Sequence, residues 1–119
     1  MRRLAASVLA FGTQSAFAHD ARTCKALDAA ANEQGTRIPG DTAIYTVTGH
    51  GRLPFYSAPD RGCGIAGVFI VPGDDVIAYV DYHGYTAVLY VNDKTGAEPT
   101  GWVESWRLRA SGRGIAPKQ

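Results

Sequence analysis

The stretch from Val76 to Val91 restricts the fold of this chain more than any other. Val76, Ala78, Val80 and Tyr82 share one face of an extended chain, and Ile77 and Tyr79 share the other. Tyr85 to Val91 repeats that period, with Ala87, Leu89 and Val91 on one side and Val88 and Tyr90 on the other. Between the two runs lies His83-Gly84, a dipeptide suited to a two-residue hairpin turn. An antiparallel pair cannot stand alone in water and needs further strands. The neighbouring sequence supplies them. Thr42 to Thr48 is β-branched and aromatic, and Leu53 to Tyr56 is short, with a Pro54 that favours an edge or a loop. Val68 to Val71 reads as a buried run ended by Pro72-Gly73. After a polar turn from Asn92 to Pro99, Gly101-Trp102-Val103 opens a last strand segment, and Trp106 to Leu108 closes the domain. About five or six short strands this close together predict a mostly β domain, a small antiparallel barrel or sandwich.

The segment before these strands reads differently. Asp20 to Gln34 is rich in Ala and free of Gly and Pro, and Cys24, Leu27, Ala31 and Gln34 recur at helical spacing. Asp20 occupies the N-cap position and Gly35 the stop, so a short α-helix is expected. Its apolar stripe is thin, and a covalent tie from Cys24 would hold it on the body. The only other cysteine is Cys63. In an oxidising compartment an even count reads first as a disulfide; a reactive thiol with its fellow buried is the competing reading.

The chain begins Met1-Arg2-Arg3, runs through apolar Leu4 to Phe11, and reaches Ala16-Phe17-Ala18. A positive start, a short apolar run and an Ala-x-Ala site predict a signal peptide over 1–18, cut after Ala18, rather than a short core helix. Export to the periplasm or beyond follows, and no stretch has the roughly 20 apolar residues of a membrane span. His19–Gln119 then holds a tethered helix over 19–37, a β domain over 38–110 and a flexible tail over 111–119. Without Arg2 and Arg3, ten basic residues face eleven acidic ones, a balance that argues against nucleic acid as a partner.

Val47 to Leu108 resembles the bacterial SH3-like (SH3b) domains of exported cell-envelope proteins. The matching residues are Phe55-Tyr56-Ser57-Ala58-Pro59-Asp60, then Pro72-Gly73-Asp74 leading into Val76-Ile77-Ala78-Tyr79, then Gly84-Tyr85 and Gly101-Trp102-Val103. In that family a Gly-Trp pair enters the last strand, and a helical turn and a final apolar residue follow, here Glu104-Ser105 and Leu108. The resemblance implies a small SH3-like antiparallel β-barrel with the short N-terminal α-helix as an addition. It also departs from the pattern: the usual Asn-x-Arg-x-Gly-Pro wording of the first loop is absent, and Tyr85 is followed by Thr86 rather than a second aromatic.

No catalytic set is visible. The thiols are best used as a bridge. His19, His50 and His83 lack metal-ligand spacing, and Asp74-Asp75 point to opposite faces of a strand. Asn92-Asp93 with Gly96 has too few ligands for a calcium loop. The sequence therefore predicts no catalytic residue, no metal and no cofactor. Aromatic residues are abundant for so small a domain, and clustered exposed aromatics mark binding surfaces. In the SH3-like arrangement Tyr56, Tyr85 and Trp106 line one groove, although Tyr85 and Trp102 also read as core. The expected function is a binding module that takes a cell-wall peptide or a periplasmic protein. The alternative is a periplasmic inhibitor or immunity protein against a peptidoglycan-degrading enzyme.

Overall fold

The computed structural model describes residues 18–92 and 94–116; the segment assigned to the signal peptide, Ala18 apart, lies outside them. One helix, α1 (Ala21–Gln34), precedes eight strands: β1 (Thr36–Arg37), β2 (Ile44–Val47), β3 (Leu53–Tyr56), β4 (Gly64–Ile70), β5 (Asp75–Tyr82), β6 (Tyr85–Leu89), β7 (Thr100–Glu104) and β8 (Leu108–Arg113). All pair antiparallel in one sheet of order β4-β3-β7-β6-β5-β2-β8, with β1 beside β5. The ladder does not close, so β4 and β8 remain its edges. Among the described residues the protein is thus mostly β with one α-helix, and no helix there is long and apolar enough to cross a membrane.

The β5–β6 hairpin turns at His83-Gly84, both at positive φ (50° and 85°), which matches a type I′ turn and the twist of its strands. Pro54 sits where β3 pairs with β4 alone, since the contact of β3 with β7 is confined to Tyr56 opposite Trp102. The missing N–H therefore breaks no second ladder. The run at Val68 to Val71 is less buried than its composition suggests: Ile70 is buried, but Phe69 and Val71 are exposed. Phe69 lies on edge strand β4 with only the Arg52 guanidinium over its ring, 4.2 Å from the centroid, and Val71 lies just past the strand's end. At the other end, β8 continues to Arg113, into the segment expected to be tail, where the Ser111 hydroxyl donates to the Ile44 carbonyl (2.6 Å).

The main core gathers Val47, Leu53, Phe55, Ile70, Val76, Ala78, Val88 and Val103, so six strands contribute to one cluster and the sheet curls around its inner face. The alternation along β5 does not run unbroken as the sequence suggests. Ala78 pairs with Val88, but Val80 pairs with Ala87, leaving Tyr79 as the extra residue of a bulge. Val76 and Ala78 point into the main core, whereas Val80 points to the outer face, beside Trp102 and beneath Ala31 of α1. The neighbours Trp102 and Val103, both fully buried, serve the two faces in the same way.

Helix α1 lies on that outer face. Asp20 caps it, its carboxylate accepting from the Thr23 N–H (2.8 Å). The buried stripe is Cys24 and Ala31, while Leu27 stands to the side, 36% exposed. Fourteen residues make a marginal helix on their own, and two small buried side chains add little apolar burial. Two ties compensate. Cys24 is bonded to Cys63, across 39 residues, closing a loop that stabilises the fold by about 4 kcal/mol in the chain-entropy model. The Trp102 indole N–H donates to Asp28 Oδ1 (2.7 Å). Gly35 ends the helix for a steric reason: a Cβ there would strike Val80 Cγ1 and lie 2.8 Å from the Ala31 and Asp81 carbonyl oxygens.

Candidate ligand-binding surface

Tyr56 on β3 and Tyr85 on β6 reach each other across β7, where they pair with Trp102 and Glu104 respectively. Their rings meet edge to face, centroids 5.3 Å apart, both half-buried on the helix-bearing side of the sheet. Burial, followed by the nearby Glu104 carboxylate, raises the Tyr56 hydroxyl above its ordinary pKa. Burial also raises Tyr85, with its partner Tyr56 next in weight. Two of the three residues expected to form a groove are therefore brought together. The pair packs against the Val80 and Trp102 cluster.

Trp106 occupies a different position. It lies in the 3₁₀ turn Ser105–Arg107 and is 73% exposed. Its ring has the Arg107 guanidinium 5.6 Å from its centroid, and it stacks on neither tyrosine. The turn that carries it is nonetheless firmly held. The Ser105 N–H donates to the Gly84 carbonyl at the hairpin tip (2.9 Å), and the Ser105 hydroxyl meets that of buried Thr86 (2.7 Å). Arg107 is 5% exposed, and its guanidinium donates to the carbonyls of Thr48 (2.6 Å), Gly51 (2.7 Å) and, more weakly, Arg52 (3.4 Å). No carboxylate pairs with it among the described residues. Three backbone carbonyls, with the face of the Trp106 ring beside them, take the place of water around this charge.

The histidines and acids divide among separate partners. His19 sits 3.1 Å from Asp60, and its backbone N–H donates to the Gly62 carbonyl. His50 is exposed, and His83 stacks on Tyr82. Asp74 accepts from the Val71 N–H (2.9 Å), while Asp75 takes the Thr46 hydroxyl (2.7 Å) and the Arg113 guanidinium (3.0 Å). Both interactions hold the Asp75 carboxyl below its usual range, the Thr46 hydrogen bond foremost.

A concavity lies elsewhere, between α1 and the sheet. It is an open cleft of about 460 Å³, floored by Val80, Ala87 and Trp102, which stand side by side across β5, β6 and β7. Asp28 and Asn32 form one wall, and Arg37, Tyr79, Ile65 and Ser57 complete the rim. Gly101 borders it as well. A Cβ there would sit 2.8 Å from the Tyr56 carbonyl oxygen and 3.2 Å from Phe55 Cδ2, so the glycine permits close strand approach.

Sequence reasoning missed Arg107 and this cleft. Arg107 had no local signal, because its partners lie 55 to 59 residues away. Asp28 had one. It stands between Cys24 and Ala31 on the buried stripe of α1, and a carboxylate in such a position calls for a donor on the body. Neither a family model, nor a characterised protein, nor a solved structure matches the chain.

Proposed function

We propose that this chain is an exported, non-enzymatic binding module of SH3-like architecture. It docks a peptide segment, from cell wall or from an envelope protein, on the surface that carries Trp106 and the Tyr56–Tyr85 pair. The observation that carries the reading is Trp106: a large apolar side chain, 73% exposed, on a turn fixed by a buried arginine. An indole presented from a rigid base contributes contact area at small entropic cost, the property that makes tryptophan an interface anchor. The order Gly101-Trp102 within β7, then a 3₁₀ turn, then Leu108 supports the SH3-like reading. The Cys24–Cys63 bond supports export, since such bonds persist in oxidising compartments.

The test is co-sedimentation of residues 19–119 with purified peptidoglycan sacculi, paired with affinity capture from a periplasmic extract. The expected result is saturable, salt-tolerant binding that Trp106→Ala removes while the melting temperature stays within a few degrees. The proposal is refuted if Trp106→Ala binds like the unmodified protein, or if the unmodified protein retains neither wall nor any protein that the variant loses.

A further inference from the structure

The cleft beneath α1 holds two opposite charges that do not meet. Asp28 is fixed on the helix wall: its Oδ1 accepts from the Trp102 indole (2.7 Å) and from Asn32 Nδ2 (3.1 Å). Its Oδ2 accepts no hydrogen bond among the described residues, so this ordered carboxylate on the cleft wall keeps acceptor capacity to spare. Arg37 lines the same cleft from β1 and pairs with no carboxylate among the described residues. Tyr79 and Ile65 line the same cleft and give it an apolar side. A volume of about 460 Å³ falls in the range of small-ligand sites.

We propose that this cleft binds a small zwitterion, an amino acid or a short peptide. Its ammonium would sit on Asp28, its carboxylate on Arg37, and its side chain against Tyr79. The chemistry is reciprocal: the fixed carboxylate selects a cation, and the planar guanidinium takes a carboxylate in a two-pronged contact. Neither group has to break an existing ion pair to do so. Asn32 orients Asp28 without neutralising it, because the amide donates and carries no charge. The site is separate from the Trp106 surface and does not depend on the reading given for it.

The experiment is a ¹H–¹⁵N NMR titration of disulfide-bonded residues 19–119 with alanyl-alanine, in its L and D forms. N-acetyl-alanyl-alanine and alanyl-alaninamide serve as blocked controls. The Trp102 indole N–H is the built-in reporter, because it donates to the very carboxylate that would receive the ammonium. The expected result is a saturable shift of that signal with at least one form, weakened about tenfold or more by either block. Arg37→Gln, at an exposed position, should weaken binding of the free dipeptide to a similar degree and leave the fold unchanged. Asp28→Asn keeps an acceptor for Trp102 and should remove the preference for a free ammonium. Trp106→Ala should alter none of this. An indole signal unmoved by both forms at concentrations of about 10 mM overturns the proposal. Equal binding of free and blocked dipeptides, or binding that Arg37→Gln does not weaken, overturns it as well.

Discussion

Replacing Arg107 by Met should be among the most damaging single changes on this surface. The substitution keeps an apolar stem of similar reach and deletes the donors to Thr48, Gly51 and Arg52. A hydrogen bond from a charged donor contributes roughly 1.5–3 kcal/mol net. The contributions do not sum, because Gly51 and Arg52 lie in an exposed loop where water replaces the lost donor, and because Met avoids the cost of burying a guanidinium. The half-buried Thr48 carbonyl has less access to water. A net loss of about 2–3 kcal/mol follows, which in a domain of about this size lowers Tm by about 10–20 °C. Urea unfolding followed by tryptophan fluorescence measures it. Gly49 provides a second handle, since a Cβ there would sit 2.6 Å from Arg107 Nε and its φ is +86°. Gly49→Ala should therefore destabilise the unmodified protein through both collision and backbone strain. In the Arg107→Met background the side chain is no longer anchored by hydrogen bonds and can move aside, so the strain dominates and the double variant should lose less than the sum of the two. A stability within about 0.5 kcal/mol of wild type for Arg107→Met, or strict additivity in the cycle, refutes the reasoning.

Three further outcomes follow from the same geometry. Cys24→Ser with Cys63→Ser should lower stability by up to about 4 kcal/mol, and α1 amides should exchange with solvent ahead of the sheet in hydrogen-exchange NMR. The Tyr56 hydroxyl is raised above 10.0 in the fold, by burial first, so its share of stability is complete below that pH and declines as pH climbs through the folded value; Tyr56→Phe should flatten the alkaline limb of a Tm-versus-pH curve. Asp75 is held below 3.8, so its share is present above that pH and is lost as pH falls through its lower folded value; Asp75→Asn should make the acid limb shallower, and an unchanged limb would show that the Thr46 and Arg113 contacts are idle in solution.

Local chemistry was legible in this sequence wherever a signal and its consequence lay close together. The His83-Gly84 turn, the Asp20 cap and the strand from Leu53 to Tyr56 all belong to that class. The Cys24–Cys63 bond was legible from count alone. The bulge at Tyr79 was hidden because a bulge depends on the partner strand's register, whereas the apolar alternation simply continues through it. Gly35 read as a helix stop, and the collision with Val80 that makes it necessary is a tertiary fact. Of the candidate surface, the Tyr56–Tyr85 contact was readable through the resemblance, and the exposure of Trp106 was not, because periodicity does not resolve the facing of a three-residue turn.

The extra residue at Tyr79 gives β5 two allegiances. Ala78 and Val80 stand two positions apart on one backbone, yet one reports on the main core and the other on the seat of α1. A label at each position would act as a pair of gauges, reading separately how far the helix has lifted and whether the sheet beneath it is intact. The same arrangement makes a single-codon deletion at Tyr79 milder than its place in the middle of a strand suggests. Val80 would follow Ala78 directly, still opposite Ala87 and still facing the helix, so the ladder would become regular with both allegiances kept.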